Sequence, residues 1–183
     1  KFRQGGTRTR DRILSSTDMV GTLAGIPVVS QIVNKVNRTA FGRRLLDQTL
    51  GVHPEAPIPD YHSTSGRTRV ERGHKPDAIV VRSTAETRGK VALFATCYCN
   101  RNEPDIDDDL ATVFRHNGIP VTVVPQEKCC GMPKLELGDL ESIQRAKEVN
   151  VPALASMVEQ GYDLVAPIPS CALMFKQELP LLF

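Results

Sequence analysis

The hydrophobic positions change their rhythm along the chain. Over residues 1–51 they recur at helical spacing. Ile13, Leu14, Val20 and Leu23 predict a helix over 11–23. Pro27 opens a second, with Val28, Val29, Ile32, Val33 and Val36 on one side, and Asn37 caps a third that holds Phe41, Leu45, Leu46 and Leu50 and ends at Gly51. Residues 52–87 lose the period. Pro54, Pro57, Pro59, Gly66, Gly73 and Pro76 stand among polar residues there, as in a linker or wrapping loop.

From residue 88 onward short apolar runs alternate with amphipathic stretches. Strands are predicted at 91–95, 120–124 and 163–166, and helices at 105–117, 139–150, 152–161 and 171–179. The unbroken apolar run 91–95 suits a strand covered on both faces. Leu110, Val113 and Phe114 mark the expected buried side of the helix after it. Such alternation predicts an α/β fold, a small parallel sheet with flanking helices and right-handed crossovers. The expected organisation is a helical extension (1–51), a Pro/Gly-rich linker (52–87) and an α/β domain (88–183).

Composition adds bounds. The 183 residues are 40% hydrophobic and 24% charged, the range of a globular chain, without Trp. The chain starts at Lys1 and stops at Phe183 inside an apolar run, as expected of a fragment of a longer protein. Residues 1–88 hold 15 Lys/Arg against 8 Asp/Glu, and residues 89–183 hold 8 against 13. No helix-turn-helix, finger or aromatic platform accompanies the basic half, so nucleic acid is not expected as a partner. A solvated basic face, or one docked on an acidic partner, fits better, and a membrane-surface role stays open for the helical extension. No run of about 18 apolar residues is present to span a bilayer.

The chemistry gathers in five cysteines: Cys97, Cys99, Cys129, Cys130 and Cys171. An odd number in a chain this size argues against a disulfide scaffold and for thiolates in a reducing compartment. Cys97 follows the first predicted strand, Cys129 and Cys130 the second, and Cys171 the third. Ligands of an open parallel sheet bind beyond the carboxyl ends of its strands, so these thiols are expected to converge on one rim. Four soft thiolates select zinc, copper(I) or an iron–sulfur cluster. Structural zinc favours short paired spacings, whereas 31 residues separate Cys97 from Cys129 and 40 separate Cys130 from Cys171. Adjacent cysteines suit a larger cluster, and Gly131 lets the backbone approach it closely. His53, His62 and His74 share no ligand spacing; His116, Glu136, Asp139 and the acids at 105–109 suit helix ends. No phosphate-binding loop appears.

The segments FATCYCN, CCGMPKLELGD and PSCALMFKQE resemble the cysteine-rich CCG domain of iron–sulfur oxidoreductases. The type is that of the heterodisulfide reductase B-subunit and the anaerobic glycerol-3-phosphate dehydrogenase C-subunit. The resemblance covers residues 88–183 and implies a first CCG domain, with a ferredoxin-like domain before this chain and a second CCG domain after it. It implies Cys97, Cys129, Cys130 and Cys171 as ligands of a four-iron, four-sulfur cluster. Thr96, Gly131, Met132 and Ser170 are expected around them. The family pattern ends in CxxC, where this chain has Met174, so a five-thiolate noncubane cluster and a four-thiolate cubane both stay open. Cys99 is either a replacement ligand or a spare buried thiol.

The implied function is electron transfer from a flavoprotein dehydrogenase, of glycerol-3-phosphate or 2-hydroxy-acid type, toward quinone or another acceptor. The chain would be a component of an oxidoreductase complex rather than a self-sufficient enzyme. It would lie in the cytoplasm, peripheral on the inner face of the membrane. The rival reading is a non-redox assembly module with a zinc or dithiol site. A thiol–disulfide enzyme lacks support, since no CxxC is present.

Overall fold

The computed structural model describes residues 8–73 and 89–183. Its centre is a three-stranded sheet of β1 (Val91–Leu93), β2 (Val121–Val123) and β3 (Asp163–Val165), ordered β2-β1-β3. Both pairings are parallel, with Val91 opposite Val121 and Asp163, and Leu93 opposite Val123 and Val165. Parallel neighbours need crossovers, and helices supply them. The α/β architecture predicted from the alternating pattern is the one observed, though each strand is shorter than its apolar run.

Successive residues of β1 point to opposite faces. Val91, Leu93 and Ala95 pack with Val121, Val123, Val70 and Ala111. Val70 lies on α5 (Gly66–Arg72), a helix inside the expected linker, capped by the Ser65 side chain accepting from the Thr68 amide. Ala111 lies on α7 (Pro104–His116), which follows the short helix α6 (Cys97–Arg101). The buried stripe of α7 is Pro104, Asp107 and Ala111, and Val113 is exposed. Of the expected face, Leu110 and Phe114 pack against the same cluster and only Val113 turns to solvent. Asp107, expected as a solvated first-turn acid, is fully buried.

Ala92 and Phe94 face the other way, against Ile143, Leu154 and Met157 of α9 and Met174 and Leu179 of the C-terminal segment. Phe94 meets Phe175 edge to face, with ring centroids 4.9 Å apart. The helix α9 (Leu140–Glu159) is continuous through Pro152, where a break was expected. Its buried positions Ile143, Ala146, Asn150, Leu154 and Met157 form one stripe, while Pro152 and Glu148 are exposed. The carbonyl that proline leaves unbonded therefore meets water, and burial of the stripe outweighs the break. Asp139 caps this helix, accepting from the Ser142 amide at 3.2 Å. Before it lies α8 (Met132–Leu137). After β3 the chain runs through α10 (Pro169–Leu173), a π-helical turn (Met174–Glu178) and α11 (Leu179–Leu182).

The extension forms four helices rather than three: α1 (Thr9–Ser15), α2 (Thr17–Ala24), α3 (Pro27–Asn37) and α4 (Ala40–Leu50). The expected first helix divides at Ser16, whose hydroxyl donates to the Arg12 carbonyl at 2.5 Å, a side-chain bond that competes with the helical ladder. Thr39 rather than Asn37 caps α4, accepting from the Gly42 amide at 3.0 Å, and Gly51 ends it at φ 63°. Among the described residues no single helix is long and apolar enough to cross a membrane.

These helices pack on their own α/β domain. The first carbon of a side chain at Gly21 would lie 3.1 Å from Arg101 Cγ, and one at Gly25 would lie 2.6 Å from Arg101 Nη1. Lys134 Nζ donates to the Ser15 carbonyl at 3.2 Å. The wrapping segment is fixed too: Asn34 exchanges two hydrogen bonds with the Tyr61 backbone, and the His62 amide donates to the Arg101 carbonyl at 2.8 Å. His74 lies outside the described residues.

Candidate metal centre

All three cysteine-bearing loops leave the sheet at one rim. Cys97 opens α6 directly after β1 and is half-buried. Cys129 and Cys130 end the loop after β2, and Cys171 sits in α10 after β3; all three are buried and all are free thiols. Cys97 Sγ lies 3.6 Å from Cys129 Sγ. Cys130 interacts with the sulfurs of Cys129 and Cys171, which extends the row from β1 to β3. The convergence expected from strand order is therefore observed for these four.

Local backbone geometry delivers the sulfurs. Thr96, immediately before Cys97, adopts φ 45°, and its hydroxyl accepts from the Cys99 amide at 3.2 Å. Gln126 adopts φ 53° as the β2 loop turns toward Cys129. Gly131 adopts φ 100°, where a side-chain carbon would lie 3.3 Å from Ile143 Cγ1 and the conformation itself is strained for other residues. Non-glycine residues at positive φ persist only where their surroundings enforce them, and here two of them bracket the rim.

Polar side chains from three distant elements hold the loop that carries the paired cysteines. Asn150, buried in α9, accepts from the Lys128 amide at 2.7 Å and donates to the carbonyls of Lys128 at 3.1 Å and Cys129 at 3.4 Å. Glu127 accepts from the Ala95 amide at 3.0 Å and pairs with Arg67 of α5. From α2, Asp18 Oδ2 accepts from the Cys129 amide at 2.7 Å. A carboxylate oxygen of Asp18 and the sulfurs of Cys97 and Cys129 all lie within 4.8 Å of one another. The Thr17 hydroxyl is shielded from water beside both sulfurs, where hydrogen bonding to it lowers the thiols of Cys97 and Cys129.

The electrostatics favour a shared thiolate at Cys129. Hydrogen bonding by Cys130 and by Cys97, with help from the Gly131 amide, pulls Cys129 below the ordinary thiol range. The same contacts, added to burial, push Cys97 and Cys130 up. Burial raises Asp18, partly offset by the Cys129 amide. Burial also moves Glu127 up to about 7 against the pull of Arg67, and Asp107 up to about 8.

Cys99 is fully buried two positions beyond Cys97, and burial pushes its thiol up to about 12. Thr96 hydrogen-bonds it, and Asp107 and Cys171 act on it electrostatically. Of the residues expected around the rim, Thr96 and Gly131 are buried there and Met132 is half-buried at the start of α8. Ser170 is exposed and does not enclose the site, because α10 turns it toward solvent while burying Cys171. Thr17, Asp18, Arg67, Glu127 and Asn150 were not apparent from the sequence. Only Asn150 carried a local signal, a polar residue in the apolar register of α9.

The donor set fits a thiophilic metal group. Several thiols and a carboxylate meet at one rim, and soft sulfur donors in that number suit such a group. Beside the site, a cavity of about 530 Å³ opens within the extension, lined mainly by apolar residues such as Ile13, Val20, Val33, Leu46 and Ile58, with Thr17 between it and the sulfurs.

Residues 91–176 match the family model of the CCG cysteine-rich domain. The chain is 27% identical over 172 residues to the C-subunit of anaerobic glycerol-3-phosphate dehydrogenase of Escherichia coli, covering 93% of this chain and 41% of that protein. It is 27% identical over 126 residues to the B-subunit of fumarate reductase (CoM/CoB) of Methanothermobacter marburgensis, covering 66% and 25%. It is 34% identical over 91 residues to lactate utilization protein A of Bacillus cytotoxicus, covering 48% and 35%. The chain thus spans well under half the length of each of these relatives. No solved structure gives a significant match. With its thiols gathered at the rim of a parallel sheet, this part of the chain belongs to the CCG cysteine-rich domain family.

Proposed function

We propose that the chain is part of an iron–sulfur electron-transfer subunit, with Cys97, Cys129, Cys130 and Cys171 holding a four-iron, four-sulfur cluster. The observation that carries this reading is the meeting of those thiols, with Cys97 Sγ 3.6 Å from Cys129 Sγ, although they come from three separate loops. A cluster bound there supplies one-electron chemistry. The protein's part is to hold it: Asn150 and Glu127 fix the Cys129 loop, and the Gly131 amide donates to a ligand sulfur.

The electron donor in this reading is a flavoprotein dehydrogenase acting on glycerol 3-phosphate or a 2-hydroxy acid. The names of the glycerol-3-phosphate dehydrogenase, fumarate reductase and lactate utilization relatives support a catalytic partner subunit. The acceptor is a quinone, and the apolar cavity beside Thr17 supports that choice. A ferredoxin-like domain and a second CCG domain complete the protein, in keeping with the 41% of the first relative that this chain covers. The subunit sits on the cytoplasmic face of the membrane. Exposed apolar side chains on α2–α4, Val28 at 67% and Phe41 at 76% among them, support a surface seat for the basic extension.

Anaerobic reconstitution with ferrous iron and sulfide tests the assignment. Stoichiometric iron and sulfide, broad visible absorption and a paramagnetic signal on reduction or oxidation are expected. Uptake of zinc without iron would instead favour the non-redox assembly module, for which the compact Asp18–Cys97–Cys129 group is the relevant observation.

A further inference from the structure

We propose that Asp18, from the helical extension, is a direct oxygen ligand of the metal group held by the cysteines, so that the complete site spans two parts of the chain. The inference rests on the cluster reading above and adds, from outside the matched domain, a fifth donor, the number that the noncubane form of the cluster takes.

Asp18 lies in the first turn of α2, 111 positions before the cysteine it touches. One carboxylate oxygen accepts the Cys129 amide proton at 2.7 Å. That bond satisfies one acceptor and holds the carboxylate in place, and a carboxylate has capacity for more. An Asp18 oxygen lies within 4.8 Å of both Cys97 Sγ and Cys129 Sγ, close enough to join a metal group that those sulfurs hold.

The surroundings of the carboxylate agree. No ammonium or guanidinium among the described residues lies within ion-pair distance of Asp18. Lys134, whose field reaches it, spends its ammonium on the Ser15 carbonyl. The fields of Lys134 and Lys128 reach the carboxylate without either closing an ion pair on it, so its second oxygen is left available to a metal group at the rim. A carboxylate is a harder donor than a thiolate, so the iron it binds differs electronically from its neighbours.

The test compares wild type, Asp18→Asn and Asp18→Cys, each as the full chain reconstituted anaerobically with ⁵⁷Fe and sulfide. The Asn carbonyl still accepts the Cys129 amide, and far-ultraviolet circular dichroism checks that the fold is kept. Mössbauer spectra of wild type are expected to contain one iron site distinct from the rest. In Asp18→Asn that site is expected to be lost or shifted, with iron passing to a chelator at least about ten-fold faster. Asp18→Cys is expected to restore iron retention with the distinct site replaced by one of thiolate type. A folded Asp18→Asn protein with wild-type spectra and wild-type iron retention would overturn the proposal and leave Asp18 as a hydrogen-bond acceptor alone. Failure of wild type itself to take up iron would overturn the cluster reading on which it rests.

Discussion

Arg67 Nη2 lies 3.0 Å from Glu127 Oε1 and donates to the Val124 carbonyl at 2.5 Å. One guanidinium from the wrapping segment therefore grips both the end of β2 and the carboxylate that accepts the Ala95 amide just after β1. The carboxyl rim of the sheet is braced from outside the sheet.

Arg67→Ala removes that brace and leaves Glu127 buried without its cation. A loss of about 3 kcal/mol is expected, because breaking a buried pair strands the remaining charge. Arg67→Lys is expected to recover only part, since a single ammonium has no counterpart for Nη1, which lies 3.6 Å from Glu71 Oε1. Urea denaturation of the three proteins measures both, and the double variant Arg67→Ala with Glu127→Gln should lose less than Arg67→Ala alone.

Asn150→Ala deletes three hydrogen bonds to the backbone of Lys128 and Cys129. Buried donors and acceptors left unmatched cost about 1–3 kcal/mol each, with incomplete additivity. Thermal unfolding is expected at a clearly lower midpoint. Iron retention is expected to fall with it, because the loop freed is the one bearing Cys129. Asn150→Leu, apolar and similar in size, should not rescue either property.

Asp107 gives stability a pH slope. Its folded value is pushed up to about 8 from 3.8, chiefly by burial and then by Glu127, with no hydrogen-bond partner for either oxygen among the described residues. Below the lower value both states hold the proton and the group brings no penalty of ionisation. Between the two values the unfolded chain releases the proton and the folded one keeps it, so stability falls as pH rises. Above about 8 the loss levels off. The slope reaches up to about 1.4 kcal/mol per pH unit. Asp107→Asn should flatten it, making the variant progressively more stable than wild type as pH rises. Denaturant midpoints on either side of that window check the sign. Glu127, shifted in the same direction from 4.5 to about 7, leaves a residual slope over that narrower window.

The five cysteines should separate on substitution. Serine at position 97, 129, 130 or 171 is expected to lower bound iron and sulfide well below wild type, since those sulfurs form the row at the rim. Cys99→Ser is expected to keep wild-type iron content and paramagnetic signal, because that thiol is buried with Thr96 as its hydrogen-bond partner. Loss of iron in Cys99→Ser would make it the replacement ligand.

The α/β core was legible because parallel strands covered on both faces appear as unbroken apolar runs, as in Val91, Ala92, Leu93 and Phe94. The position of cysteines just after such runs located the rim from strand order alone. Helix limits were less legible where two local forces compete. Ser16 breaks a helix that its apolar neighbours would continue, whereas Pro152 fails to break one whose buried stripe runs through it. Asp107 was hidden by its company, since four acids near a helix start resemble dipole compensation. Only the register through Pro104 and Ala111 marks it as inward. Asp18 was beyond local reading altogether, because its contact with Cys129 spans 111 positions and leaves no periodic trace.

Gly21 and Gly25 let α2 lie flush on Arg101, with no room for even one added carbon at the second position. The distance of Thr17 and Asp18 from sulfur is thus set by two missing side chains further along the same helix and at its end. Bulk introduced there would act as a wedge, levering the acid away while every thiol stayed in place. Evolutionary drift at these two positions would shift Asp18 against the rim without altering the cysteine signature, so two chains with identical thiol spacing need not present the same set of side chains there.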